Sequence, residues 1–143
     1  MAAHPKRAEL VDEAWQLLAS FLFKMGGRHM MTAARTTGLN PGAIKALHSL
    51  DPADPQPMRS LADSWGCDAS NVTWLVDRLE ERGLVERRTL PTDRRVRTVV
   101  LTPAGVAMKA TIEQVWSEPP PQLERLSVEE LATLAEILRK LAP

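Results

Sequence analysis

Residues 59–101 read RSLADSWGCDASNVTWLVDRLEERGLVERRTLPTDRRVRTVVL, and the order of patterns within them decides the fold class. The spacing predicts a short helix near 59–65, a turn at Gly66, Cys67 and Asp68, and a second helix near 70–82 that Gly83 closes as a left-handed cap. Ala62 is small enough to let the two helices cross closely, and Gly66 permits the sharp turn between them. Leu61, Val72, Leu75, Val76 and Leu79 form one apolar face that holds the pair against a core. At about 100° per residue, Ser70, Thr73, Trp74 and Asp77 fall on the opposite face, with Asn71 and Arg78 at its flanks.

Beyond Gly83, residues 84–90 and 96–101 are rich in β-branched and long side chains and flank the loop Pro91-Thr92-Asp93-Arg94-Arg95, which predicts an antiparallel hairpin. A hairpin placed directly after such a helix pair is a wing. Its tip sets Arg94 and Arg95 on a narrow projection suited to phosphates or to a narrow, electronegative minor groove. Asp93 is expected to orient one of these arginines rather than touch a polyanion. Arg87 and Arg88 alternate sides along their strand, so only one of them can face a nucleic acid, and Arg88 is the candidate.

Net charge conceals this segment. The chain of 143 residues carries 18 Lys and Arg against 18 Asp and Glu, yet residues 82–97 hold six arginines against two acids, a local excess of four positive charges. The stretch 103–143 has four basic and six acidic residues. A charge cluster is commonly no more than a solvated face; beside a helix pair and a wing, we read this one as a DNA-contacting surface.

Outward from this centre the patterns are helical. Leu10, Ala14, Leu17, Leu18, Phe21 and Met25 recur at three- and four-residue steps, predicting a first helix over about 6–31 in which Gly26 and Gly27 weaken but do not stop the run. Asn40 and Pro41 read as an N-cap followed by proline at the first helical position, opening a helix to about residue 50 that buries Ile44, Leu47 and Leu50. Three prolines in residues 51–57 make that stretch a connection. Thr102 and Pro103 restart a helix that runs to about Trp116, before Pro119, Pro120 and Pro121 break it. Ser127 and Glu130 form a capping box for a last helix whose apolar face includes Leu131, Leu134, Ile137, Leu138 and Leu141. Two terminal amphipathic helices without a partner leave large apolar stripes, so Trp116 and the C-terminal leucines are expected at a subunit interface.

Several classes are set aside. A single cysteine, Cys67, allows neither an intrachain disulfide nor a cysteine metal cluster. His4, His29 and His48 are scattered, and no nucleophile–base pair, phosphate loop or ligand set can be assembled, so neither an enzyme nor a metal or cofactor is expected. No secretion signal or membrane-length apolar run occurs, which points to a soluble, cytoplasmic protein.

The run Ser70-Asn-Val-Thr-Trp-Leu-Val-Asp-Arg-Leu79, followed by Arg82-Gly-Leu-Val-Glu-Arg87, Asp93-Arg-Arg95 and Leu101-Thr-Pro-Ala-Gly105, resembles the MarR (multiple-antibiotic-resistance regulator) family of winged helix-turn-helix transcription regulators. The match is best over residues 57–105, without gaps, and the flanking helix order suits the family over nearly all the chain. The resemblance implies a mainly α fold with a small β-hairpin wing: one domain, 1–143, with dimerisation helices in 1–35 and 103–143 around a DNA-binding part at 40–102. It further implies a homodimeric repressor on a pseudo-palindromic operator, associated with the nucleoid when bound. The recognition helix would lie in the major groove and the wing in the adjacent minor groove. An apolar or aromatic effector would modulate binding.

Position by position, the resemblance nominates Ser70, Asn71, Thr73, Arg78, Asp93 and Arg95 as DNA-binding, to which the residue pattern adds Trp74, Arg88 and Arg94. Trp74 departs from the family, which often has arginine there; a bidentate guanine contact is lost. The indole either packs on a thymine methyl or sugar edge or lies on protein. Trp15, Phe21, Met25 and Met30 are candidates for an effector pocket, with plain core packing as the alternative. Cys67 is read as a small buried side chain rather than a peroxide sensor, because the reactive cysteine of peroxide-sensing relatives is typically in the N-terminal dimerisation helix, whereas this one sits in the helix-turn-helix turn. A second function class remains: a winged-helix module whose Trp74, Asp77, Glu80 and Glu81 bind a partner protein, DNA binding having been lost.

Overall fold

The computed structural model describes residues 6–90 and 92–141; His4, Pro91 of the wing loop and the two ends of the 1–143 domain range lie outside them. Helix α1 spans Arg7–Thr37, α2 Pro41–Ser49, α3 Met58–Trp65, α4 Ala69–Glu81, α5 Pro103–Ser117 and α6 Val128–Leu141. Among the described residues three short strands, β1 (Gln56–Pro57), β2 (Val85–Thr89) and β3 (Arg97–Leu101), make one antiparallel sheet in the order β1-β3-β2.

Local signals place most of the helix ends. Asn40 Oδ1 accepts the Ala43 amide at 2.8 Å to cap α2, Thr102 Oγ1 accepts the Gly105 amide at 3.0 Å to cap α5, and Ser127 with Glu130 closes the reciprocal box of α6. Gly66 and Gly83 adopt positive φ at the ends predicted for them.

Four features depart from expectation. Helix α1 runs six residues beyond Met31, because Ala33 is fully buried and the next residue able to take the left-handed cap is Gly38, at φ 67°. The proline connection supplies β1, with Gln56 opposite Val99 and Pro57 opposite Thr98, so the wing is the long arm of a three-stranded sheet. An edge strand tolerates proline, since one side needs no ladder hydrogen bond. A 3-10 turn, Pro121–Arg125, follows the proline break. Trp116 already has a partner within the chain, lying half-buried with its ring 4.5 Å from that of His48.

The core belongs to the winged unit. Ile44, Leu47, Leu50, Leu61, Val72, Val76, Leu79, Val85, Val99 and Ile112 are essentially inaccessible, which places α2, α3, α4, the sheet and α5 around one apolar centre. Close approach makes this possible at Gly105, where a Cβ would stand 1.9 Å from the Leu84 carbonyl oxygen. By contrast α6 contributes no buried residue, and α1 contributes Ala33 and Thr37. Trp15, Phe23, Ile137 and Leu141 are 65%, 84%, 48% and 67% exposed, so the two terminal helices present apolar faces that the monomer does not cover.

Candidate nucleic-acid interface

The outward face of α4 is built from its N-terminus. Asp68 caps the helix by accepting the Asn71 amide at 2.8 Å and the Ser70 hydroxyl at 2.5 Å. Those two bonds, the Ser70 hydroxyl first, hold the Asp68 carboxyl below its ordinary pKa. Thr73 donates its hydroxyl back to the Ala69 carbonyl at 2.9 Å, which uses its one proton and leaves the oxygen able to accept. Ser70, Asn71 and Thr73 are all exposed.

Between α4, the start of α3 and the wing lies an open cleft of about 900 Å³, bordered by Thr73 and Asp77 from α4, Arg59 and Ser60 from α3, and Arg95 and Arg97 from the wing. Of the residues nominated from sequence, the fold thus brings Thr73 and Arg95 to one groove. Arg59, Ser60 and Arg97 join them without having been nominated. The only sequence signal for Arg97 was membership of the arginine-rich run; for Arg59 and Ser60, it was their place at the start of the first helix of the pair.

Arg87 closes the inner end of this cleft. Its guanidinium, 20% exposed, bonds Asp77 and Glu80 together, and its backbone amide donates to Glu80 Oε1 at 3.1 Å. Burial works against its charge, but the hydrogen bond and charge of Asp77 and the charge of Glu80 outweigh it, raising its pKa above the ordinary arginine value. Arg87 is therefore occupied in fixing the wing to α4. Arg88, two residues along from Glu86 on the other strand face, pairs with that carboxylate.

At the wing tip, Asp93 Oδ1 accepts the Arg95 backbone amide at 2.9 Å, and the Val96 amide donates to the Asp93 carbonyl at 3.1 Å. Asp93 accordingly orders the turn through the backbone of Arg95. Arg94 is exposed on the same turn but does not border the large cleft. On the other flank of α4, Trp74 is 47% exposed with the Arg78 guanidinium 5.8 Å from its ring centre, and Arg78 also pairs with Glu81 at 3.1 Å. Trp74 borders a smaller hollow of about 230 Å³ with Gly38, Asn40 and Arg82.

The nominated effector residues do not meet in one cavity. Met30 borders a hollow of about 560 Å³ with Leu22, Phe23, Lys45 and Trp116, whereas Met25 borders a separate one of about 120 Å³ beside Pro119 and Pro120. Phe21 is half-buried on α1, and Trp15 projects from it to solvent. Cys67 is half-buried against the core. Among the described residues no group of three or more His, Cys, Asp or Glu is placed to hold a metal ion, and no helix is long and apolar enough to cross a membrane.

Comparison with known proteins adds to this geometry. The MarR family profile matches residues 39–96. A transcriptional regulatory protein ascribed to the hcr operon of Thauera aromatica is 36% identical over 111 residues, covering 77% of this chain and 67% of that protein. Apo MarR from E. coli superposes with a TM-score of 0.71 at 26% identity, across 90% of this chain and 96% of its own. A variant of MepR from S. aureus, bound to an oligodeoxyribonucleotide, gives 0.67 at 22% identity across 87% and 98%, a likeness of fold.

Proposed function

The chain belongs to the MarR family of transcription regulators, and from that premise we propose that it acts as a homodimeric repressor on a pseudo-palindromic duplex DNA operator. The uncovered apolar faces of α1 and α6 are the dimer surfaces. Each protomer sets α4 in a major groove, with Ser70, Asn71 and Thr73 toward base edges, and the wing in the adjacent minor groove, with Arg94 and Arg95 on phosphate or groove floor. The observation that carries this reading is the shared border of the large cleft, where the polar face of α4 meets the arginines of the wing.

The protein-interaction alternative loses its support. Asp77 and Glu80 are taken up by Arg87 and Glu81 by Arg78, so the acids of α4 do not form a free acidic surface. The hollow between α1, α2 and α5 suits an apolar or aromatic effector, with Phe23, Met30 and Trp116 as apolar walls and Lys45 as a cation. This reading places the working protein in the cytoplasm, on the nucleoid when DNA-bound, and assigns it no catalytic step.

The test is a titration with duplex DNA selected from a random pool. Phosphate contacts dominate such binding, so affinity falls steeply with salt, and Arg95→Ala lowers the log–log salt slope by about one per protomer. Asn71→Ala and Thr73→Ala change base preference at fixed positions instead. A salt-independent complex, or three variants that bind like wild type, refutes the reading.

A further inference from the structure

We propose that Arg82 is a positioning residue, whose guanidinium bridges the end of α4 to the end of α1 and thereby sets the spacing of the two recognition helices in the dimer. This rests on the dimeric DNA-binding reading. Arg82 is the C-cap of α4. Its Nη1 donates to the Gly38 carbonyl at 2.9 Å and its Nη2 to the Thr37 carbonyl at 3.1 Å, linking residues 44 and 45 apart in sequence.

Those carbonyls are where α1 ends and its partial negative charge gathers, so a cation fits them electrostatically, and the flat two-pronged guanidinium fits both at once. The α1 side of the joint is fixed. Thr37 is buried, its hydroxyl donates to the Ala33 carbonyl at 2.6 Å, and Gly38 is held at φ 67° with its amide on the Ala34 carbonyl. The buried face of α4 packs on α2, with Leu75 beside Gly42, whereas toward α1 itself a hollow of about 230 Å³ lies between Gly38 and Asn40 on one side and Trp74 and Arg78 on the other. The two Arg82 bonds therefore tie α4, and the winged unit packed around it, directly to the helix that carries the dimer, and hold the angle between the two.

The lever is long enough to matter. Thirteen residues of α4 span about 20 Å at 1.5 Å per residue. A rotation of the winged unit by about 10° about the Arg82 joint displaces the far end of α4 by roughly 3–4 Å, about the rise of one base pair. Spacing tolerance in the operator is therefore the property Arg82 controls.

The test uses the whole protein and a duplex that the wild type selects from a random pool. Two derivatives carry one base pair more or fewer between the half-sites, and a third keeps a single half-site. Wild type is expected to prefer its own spacing ten-fold or more. Arg82→Ala and Arg82→Lys should both cut that preference to three-fold or less, with single half-site affinity changed less than two-fold. A spacing preference kept within two-fold of wild type in both variants overturns the proposal, as does a parallel loss on the half-site, which makes Arg82 a DNA contact.

A DNA-free measurement stands beside it, with spin labels at the exposed Ser64→Cys position of both protomers in a Cys67→Ser background. The inter-protomer distance distribution should widen when Arg82 is replaced by alanine or lysine; an unchanged distribution overturns the bridge. Should the alanine variant fail to fold, the lysine variant carries both measurements. A wild type that selects no duplex refutes the DNA-binding reading, and the label distances still decide the bridge.

Discussion

Replacing Arg87 by methionine removes the guanidinium while keeping an unbranched stem of similar reach. Two charge-assisted contacts go with it, to Asp77 and to Glu80, from a side chain only 20% exposed. Hydrogen bonds to charged groups contribute about 1.5–3 kcal/mol each when shielded. Asp77 and Glu80 are 50% and 39% exposed, so both carboxylates regain water once released, and the sum shrinks to about 2 kcal/mol. For a domain of this size that is a Tm lower by about 4–8 °C. Each protomer also gains one uncompensated negative charge beside the cleft, so affinity for selected DNA falls. Because Arg87 holds α4 and β2 together rather than a phosphate, the salt slope stays at the wild-type value, unlike that of Arg95→Ala. Adding Asp77→Asn and Glu80→Gln to Arg87→Met recovers little of the stability, because the released carboxylates are already hydrated. Thermal melts and fluorescence titrations at several salt concentrations check each step. A slope lowered by about one per protomer, or an unchanged Tm, refutes the assignment of Arg87 to this internal bridge.

Three other outcomes are expected. Gly105→Ala forces a methyl onto the Leu84 carbonyl, 1.9 Å from the required position, and should destabilise by about 2–3 kcal/mol in denaturant unfolding; wild-type stability would mean α5 can back away from the sheet without cost. Phe23→Glu paired with Leu138→Glu places carboxylates on the uncovered faces of α1 and α6, so light scattering should report a monomer, and a dimer that persists removes these faces from the interface. Asp68→Ala deletes the α4 cap and lowers Tm at neutral pH. The Asp68 carboxyl has its folded pKa depressed by Ser70 and Asn71, so its contribution is full above the ordinary carboxylate range and lost as pH falls through the depressed value. The wild-type advantage should thus be constant from about pH 5 to 8 and narrow below about pH 4; an advantage that grows on acidification contradicts the cap.

Much of the framework is legible because its causes are local. Asn40 before Pro41, Thr102 before Pro103 and the Ser127–Glu130 box each mark a helix start by a side chain reaching an amide three residues on. Gly66 and Gly83 mark ends because only glycine adopts positive φ cheaply. The apolar spacing of Leu61, Val72, Leu75, Val76 and Leu79 fixes which face of the helix pair is buried, and with it which face carries Ser70, Asn71 and Thr73.

What the tertiary structure decided is every pairing between residues distant along the chain. Nothing near Gln56 or Pro57 announces that they will lie beside Val99 and Thr98, since an edge pairing depends on where the partner strand arrives. Arginine composition does not distinguish Arg95 and Arg97, on the wing side of the cleft, from Arg87 in the same cleft and Arg82 outside it, whose guanidiniums are spent on Asp77, Glu80 and the end of α1. A periodic pattern specifies how a helix turns its own side chains. Which charge another element brings to meet them is set only when the chain has closed on itself.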